Sequence, residues 1–180
     1  MPRYVALFRG INVGKAKRIA MADLRALLEK LGYSRVRTLL NSGNAVFSAD
    51  ATPAAKLAQR IRAEVAKQLG VDALVIVKAE RDIAGMIAAN ALARIATDDS
   101  RLLVAMTNDT KAIAALKKFA GRKWGEERMH VGKHAAYLWC ANGILESKVA
   151  EALLTELKDI GTTRNWSTLN KIHALMRAEA

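Results

Sequence analysis

The segment that decides the fold reads Val36-Arg37-Thr38-Leu39-Leu40-Asn41-Ser42-Gly43-Asn44-Ala45-Val46-Phe47-Ser48. Its two ends, Val36–Leu40 and Ala45–Ser48, are short runs rich in apolar residues, as is typical of strands. The four residues between them are Asn, Ser, Gly and Asn, which favour a tight turn. The segment therefore predicts an antiparallel hairpin.

Strands and helices are predicted on both sides of this hairpin. Upstream, a strand over 4–9 precedes a helix over about 20–31. Downstream, Thr52-Pro53 opens a second helix, Gly70 ends it, and Ala73–Lys78 forms a fourth strand. The resulting order βαββαβ is that of a ferredoxin-like unit.

The same order of elements recurs in the second half, after a helical connector at about 81–93. The predicted elements there are the strand Leu102–Thr107, a helix from Thr110 to Phe119, strands near Arg128–Val131 and Ala135–Trp139, a helix at Ser147–Lys158, a strand at about Gly161–Thr163 and an amphipathic helix from Trp166. The pattern indicates an internal duplication.

We therefore predict an α+β protein made of two ferredoxin-like βαββαβ repeats with mainly antiparallel sheets. The predicted parts are the first half at 1–80, the connector at 81–100, the second half at 101–165 and the C-terminal helix at 166–180. Because the sequence between the halves is not rich in Pro or Ser, we expect one compact body.

Composition restricts the class of protein. The 180 residues are 52% hydrophobic, which is enough for a sizeable core. No run in the sequence approaches the roughly 20 apolar residues that cross a bilayer. Cys140 is the single cysteine, so an internal disulfide is excluded. We expect a bacterial, cytoplasmic protein with no membrane partner.

The formal net charge of +12 is concentrated in two segments. Residues 1–40 carry nine basic and two acidic side chains, and residues 111–134 carry seven and two. Such positive segments attract nucleic acid, nucleotides or other polyanions. A solvated basic surface that only keeps the protein soluble is the alternative, and the sequence leaves both interpretations open.

A glycine-spaced loop, Arg9-Gly10-Ile11-Asn12-Val13-Gly14-Lys15, follows the first strand. Because the first and third strands of a βαββαβ sheet are antiparallel neighbours, Arg9–Arg18 and the hairpin turn are predicted to share one edge. Arg, Lys, Asn and Ser side chains beside glycine-exposed N–H groups suit an anion or a nucleotide. Alternatively, the asparagines of the loop and the turn bond nearby backbone and hold the two turns.

Two known phosphate- and RNA-binding patterns fit this sequence poorly. A P-loop needs four residues between its glycines and a Ser or Thr after its lysine, whereas three separate Gly10 from Gly14 and Ala16 follows Lys15. RNA-recognition motifs carry exposed aromatic residues on the third strand. Here that strand offers only Phe47, which we expect in the core.

A second polar segment lies near the C-terminal helix, at Thr162–Lys171. Asn165 or Ser167 can cap that helix. Arg164 at a helix N-terminus would strengthen an anion site.

Three motifs together, Arg9-Gly10-Ile11-Asn12-Val13-Gly14, Asn41-Ser42-Gly43-Asn44 and Thr163-Arg164-Asn165-Trp166, resemble a widespread bacterial family, the domain of unknown function 1697. The resemblance spans nearly the whole chain, and it implies no activity, substrate or catalytic residue.

We predict a protein that binds a phosphate-bearing ligand, either a nucleotide or nucleic acid, with no cofactor and no metal. An enzyme of unidentified reaction at the same edge and an oligomeric scaffold without ligand are the alternatives. In the binding hypothesis, arginines grip phosphate oxygens, a lysine supplies a point charge and asparagines orient the ligand or the loops. The predicted ligand-binding residues are Arg9, Asn12, Lys15, Asn41, Ser42, Asn44, Arg164, Asn165 and Lys171.

Overall fold

The structure, a computed structural model, describes residues 1–178. Packing divides the chain into two compact units, one of Met1–Arg81 with the chain from Ile172 onward, and one of Asp82–Lys171. Each unit contains a four-stranded antiparallel sheet. The predicted α+β fold of two ferredoxin-like repeats is confirmed.

The first unit has the predicted order βαββαβ. Its elements are β1 (Arg3–Phe8), α1 (Met21–Lys30), β2 (Ser34–Leu39), β3 (Asn44–Ser48), α2 (Ala54–Leu69) and β4 (Val75–Ala79). The strand order is β2-β3-β1-β4, with antiparallel pairing throughout. The turn between β2 and β3 therefore lies at the same end of the sheet as the loop that leaves β1.

Phe47 lies at the centre of the first core and is fully buried. Its ring stacks with those of Tyr4 and Tyr33, at centroid separations of 5.8 and 4.7 Å. Both helices bury apolar residues spaced three or four apart against this face of the sheet. The expectation that Phe47 belongs to the core is confirmed.

Strand β2 is less regular than the sequence predicts. It begins at Ser34 and ends at Leu39, and its pairing with β3 shifts between Ser34 and Arg37. Within this irregularity Arg35 has a φ of +51°. A β-bulge places two residues opposite one, which the alternation of apolar and polar residues does not predict.

The second unit repeats the topology. Its strands are β5 (Leu102–Thr107), β6 (Arg128–Val131), β7 (Ala136–Trp139) and β8 (Gly161–Asn165), and its helices are α3 (Glu80–Ala88), which begins in the first unit, α4 (Thr110–Ala115), α5 (Lys117–Ala120), α6 (Lys148–Glu156) and the first part of α7 (Trp166–Arg177). The strand order is β6-β7-β5-β8, which places β6 at an edge.

One predicted helix of the second unit is divided. The sequence predicts a single helix from Thr110 to Phe119, but α4 ends at Ala115 and α5 begins at Lys117. At the junction, Leu116 N–H donates to Ile113 O and Phe119 N–H donates to Leu116 O, each at 3.0 Å. These i→i+3 bonds tighten the turn, so the α-helical ladder is interrupted.

The predicted connector at 81–100 lies almost wholly within the second unit, and the predicted C-terminal helix is shared between the two units. The first boundary, after Arg81, lies one residue from the predicted end at 80, but α7 is divided between the units at Lys171. Its second half is tied to the first unit by His173 Nε2, 3.0 Å from Glu80 Oε1, and by Arg3 Nη2, which donates to Leu175 O at 3.3 Å. Within residues 1–178, no helix combines the length and apolar character needed to cross a membrane.

Tyr137 is a buried titratable group in the second unit. Its hydroxyl donates a hydrogen bond of 2.7 Å to Met86 O of α3, and the residue is 1% exposed. Burial disfavours the phenolate and raises the pKa of Tyr137 to about 12.

We expect Tyr137 to make the fold sensitive to alkali. Because the folded pKa is raised above that of an unfolded tyrosine, the stabilisation is present below about pH 10 and is lost as the pH rises toward 12. We expect the unfolding free energy, measured in urea, to fall less between pH 9 and pH 11 for Tyr137→Phe than for the parent protein. Equal losses would contradict this assignment.

Candidate functional site

The end of β1 is held on both sides by its neighbours. Phe8 N–H donates to Gly43 O in the hairpin turn, and Arg9 N–H donates to Leu74 O before β4, both at 2.9 Å. The loop after β1 therefore leaves the sheet beside the hairpin turn. The predicted shared edge of these two segments is confirmed.

Asn12 joins three parts of this edge through its side-chain amide. Nδ2 donates to Asn41 O and to Ile19 O, each at 2.8 Å, and Oδ1 accepts from Ile19 N–H at 2.9 Å. The Asn12 N–H also donates to Lys17 O at 3.0 Å. Asn12 thus fixes the hairpin turn and the start of α1 relative to each other.

Four residues between Gly10 and Lys17 have left-handed backbone conformations. Gly10, Asn12, Gly14 and Lys17 have φ of +66°, +56°, +62° and +50°. Glycine adopts such angles without strain, and asparagine tolerates them better than most residues. The spacing of glycine and asparagine in the loop is therefore required by its path.

Gly43 allows the loop to approach the hairpin turn closely. A Cβ at this position would lie 2.6 Å from Ile11 Cδ1 and 2.8 Å from Phe8 Cβ, and the φ of Gly43 is +85°. Ile11 is 1% exposed, so it has little room to move. The glycine is needed both for its backbone angle and for the absence of a side chain.

Asn44 holds the hairpin turn from inside. It is fully buried, and Nδ2 donates to Leu39 O at 2.7 Å and to Ser42 Oγ at 3.3 Å. The interpretation that asparagines bond nearby backbone to hold the two turns is confirmed for Asn12 and Asn44. Asn41 and Ser42 are exposed at the tip of the turn.

A cleft of about 390 Å³ opens beside the clamp formed by the side-chain hydrogen bonds of Asn12 to Ile19 and Asn41. It is lined by Asn12, Arg18, Ile19, Ala20, Met21 and Asn41. Ala20 is the N-cap of α1, with an extended backbone, and its methyl group cannot accept a hydrogen bond from the first turn. The positive end of the α1 dipole therefore faces the cleft without competition from the N-cap side chain.

The cations of the loop differ in their placement. Arg9 is half-buried next to the sheet, whereas Lys15 and Arg18 are exposed. Lys17 lies near Asp72, whose pKa is lowered mainly by its hydrogen bond to Arg62 and also by the Lys17 charge. Arg18 is the cation that lines the cleft. Sequence reasoning included it in the loop but did not single it out.

The edge that carries this geometry lies in a part of the chain that matches a known family. A family model described as "Protein of unknown function (DUF1697)" matches residues 1–137. The chain belongs to this family. Its edge motifs, Arg9–Gly14 and Asn41–Asn44, lie within the matched range.

A solved structure supports the fold of this DUF1697 chain. It is titled as that of the conserved bacterial protein SP0830 from Streptococcus pneumoniae, and it matches with a TM-score of 0.81 and 23% identity. The match covers 98% of this chain and 99% of that chain. Comparison with curated proteins gives no match. At this level of identity, the likeness concerns the fold alone.

The remaining predicted ligand residues belong to the second unit and the adjoining part of α7. Arg164 is buried in β8, where Nη1 donates to Thr162 Oγ1 at 3.0 Å and to Thr163 O at 2.8 Å. Its burial lowers the pKa of the guanidinium to about 10, so the group keeps its charge at neutral pH. Asn165 Oδ1 accepts from Thr168 N–H at 2.8 Å and caps α7, so of the two predicted candidates, Asn165 and Ser167, it is Asn165 that forms this cap. Lys171 is exposed.

The structure thus brings together the loop after β1 and the hairpin turn, and it places the Arg164 segment in the other unit. Across residues 1–178, no three His, Cys, Asp or Glu side chains form a group that could hold a metal ion.

We expect Gly43→Ala to destabilise the protein more than Gly32→Ala. Gly32 has a φ of +87°, close to that of Gly43, but within the described chain no atom lies within 4 Å of a Cβ added there. Backbone strain should cost about 1 kcal/mol at either position. The clash at Gly43 should add about 1–3 kcal/mol to the loss of unfolding free energy in urea. Equal losses would contradict the close-approach argument.

We expect Asn12→Ala to lower the unfolding free energy by about 2–4 kcal/mol, because three side-chain hydrogen bonds are removed at once. Asn12→Gly separates this effect from the backbone strain. It should lose about 1 kcal/mol less than Asn12→Ala, since glycine adopts the φ of +56° freely. A glycine variant as stable as the parent protein would show that the amide does not hold the edge.

Proposed function

We propose that the first unit binds a small phosphate-bearing ligand, such as a nucleotide, in the cleft at the start of α1. The observation that carries this proposal is that Ala20, the N-cap of α1, and the cation Arg18 line the same cleft. A volume of about 390 Å³ lies within the range of small-molecule sites.

The chemistry of the cleft favours an anion. N–H groups at the start of α1 and the helix dipole attract negative charge, and phosphate is the ligand most often held in this way. The Arg18 guanidinium can donate two parallel hydrogen bonds to phosphate oxygens. Asp23, in the first turn of α1, is the competing acid, and it is exposed to solvent.

The clamp makes the cleft rigid before a ligand arrives. Asn12 links the Asn41 carbonyl to both backbone groups of Ile19, and Ile19 directly precedes the N-cap. A site that is already ordered loses less conformational entropy on binding. In this proposal Asn12 and Asn44 hold the loops, while Arg18 and the N-terminus of α1 contact the ligand.

Arg18→Ala tests the site against a matched variant in the same helix region. Arg25 is an exposed arginine of α1 that does not line the cleft, so Arg25→Ala removes the same charge elsewhere. With pyrophosphate, AMP and ADP as probes, the parent protein and Arg25→Ala should show a ligand-dependent rise in Tm. Arg18→Ala should bind about tenfold or more weakly, because a charge-assisted hydrogen bond is lost. Equal responses of the two variants would rule out this site.

Ala20→Ser gives a second test with opposite effects on stability and binding. A serine at the N-cap accepts a hydrogen bond from the first turn and should raise the unfolding free energy by about 0.5–2 kcal/mol. Because the serine hydroxyl accepts a hydrogen bond from an N–H group that would otherwise bind the ligand, affinity for pyrophosphate should fall. Ala20→Asp should weaken binding further, since it adds a negative charge to the cleft. Unchanged affinity in both variants would place the ligand elsewhere.

A further inference from the structure

A basic groove lies along the edge strand of the second unit. Strand β6 is one of the two outer strands of the sheet, and α5 packs beside it. One cleft, of about 590 Å³, includes His130 and Val131 from the end of this strand. Another, of about 330 Å³, includes Arg128 and Met129 from its beginning. The end of β6 thus lines one cleft and its beginning lines the other, and we call the two clefts together the β6 groove.

The first cleft of the β6 groove is strongly basic. Lys111 on α4, Lys117 on α5 and Lys133 after β6 all line it, and all three are exposed. Among the described residues that line this cleft, none is acidic. Asp109 is the nearest acid in sequence, and its Oδ1 accepts from Lys111 N–H at 2.8 Å as the cap of α4. The lysine ammonium groups therefore face solvent as a positive cluster.

The second cleft adds further cations, Arg122, Lys123 and Arg128. Arg128 Nη1 donates to Gly125 O at 2.7 Å, which limits the movement of its guanidinium. The acid that lines this cleft, Glu127, is 7% exposed, and its Oε2 accepts from Val149 N–H in the first turn of α6 at 3.3 Å. The carboxylate is thus directed toward α6, and the open part of the cleft stays positive.

Each cleft also contains an aromatic ring. His130 lines the first, and its ring stacks on Tyr137 at a centroid separation of 6.0 Å. Trp124 lines the second and is fixed by a hydrogen bond of 3.1 Å from Nε1 to Phe119 O. Cations that follow a backbone, with rings on which bases stack, are the features of sites for single-stranded nucleic acid.

We propose that the β6 groove binds a single-stranded nucleic acid, with its lysines and arginines on the phosphates and His130 and Trp124 against the bases. A lone phosphate group would occupy one cleft, whereas cations and a ring line each of the two. This site is independent of the ligand cleft in the first unit, because it shares no residue with that cleft.

The test measures the fluorescence anisotropy of a fluorescein-labelled oligo(U) or oligo(dT) of about 15 nucleotides at roughly 25 to 200 mM KCl, because binding through phosphate contacts weakens as the salt concentration rises. We expect the triple variant Lys111→Ala, Lys117→Ala, Lys133→Ala to bind the oligonucleotide about tenfold or more weakly than the parent protein. The slope of log K against log[KCl] should become shallower by about 2, since single strands release about 0.7 cation per phosphate contact. Circular dichroism and Tm confirm that each variant is folded.

Lys30→Ala, Lys56→Ala, Lys67→Ala is the matched control, because it removes the same charge from exposed positions on α1 and α2. It should retain the salt slope of the parent protein. His130→Ala should weaken binding about fivefold or more at pH 8 without changing that slope, as a stacking contact does. Arg18→Ala should leave oligonucleotide binding unchanged, which separates this proposal from the one for the first unit.

Four outcomes overturn the proposal. The first is no oligonucleotide binding at about 25 mM KCl, where salt screens charges little. The others are equal losses in both triple variants, full binding by the groove variant, or an effect of His130→Ala only on the salt slope. Phosphatidylserine vesicles provide a further comparison. If they bind through Lys111, Lys117 and Lys133 while the oligonucleotide does not, the groove recognises a lipid surface instead.

Discussion

A single side-chain amide, that of Asn12, connects three segments at one end of the first sheet. Both hydrogens of Nδ2 and the oxygen Oδ1 are used, so the Asn41 carbonyl and the backbone of Ile19 are held together. Gly43 allows this arrangement, because any larger residue would collide with Ile11 and Phe8. The position of Arg18 and the direction of α1 therefore depend on contacts that are complete without a ligand.

Much of this arrangement could be predicted from the sequence. The Asn-Ser-Gly-Asn turn and the order βαββαβ are local signals, and antiparallel pairing of β1 with β3 then requires the two loops to share an edge. The break at Leu116 and the bulge at Arg35 could not be predicted, since each depends on how a segment packs rather than on its own pattern. That Arg18 lines the cleft and Arg9 does not depends likewise on which side of the loop faces it.

The strand register shows a similarity between the halves that the order of elements alone does not. Val5 pairs with Lys78 across β1 and β4, and Val104 pairs with Arg164 across β5 and β8. Both cations are buried, at 6% and 8% exposure. A buried charge is costly without hydrogen-bond partners, and Arg164 has them in Thr162 and Thr163. The structural repeat thus extends to a matched pair of buried cations.

The two halves differ at the start of the first helix after the first strand. In the second unit, Asp109 follows β5 almost directly and caps α4 through Lys111 N–H. In the first unit the connection is longer and basic, and Ala20 occupies the N-cap. The same fold therefore accommodates a capping side chain at this point, and alanine forgoes about 0.5–2 kcal/mol of stability there. Positions that sacrifice stability in this way are often used for function. The difference supports an anion site at α1, while in the second unit the exposed cations gather instead along β6.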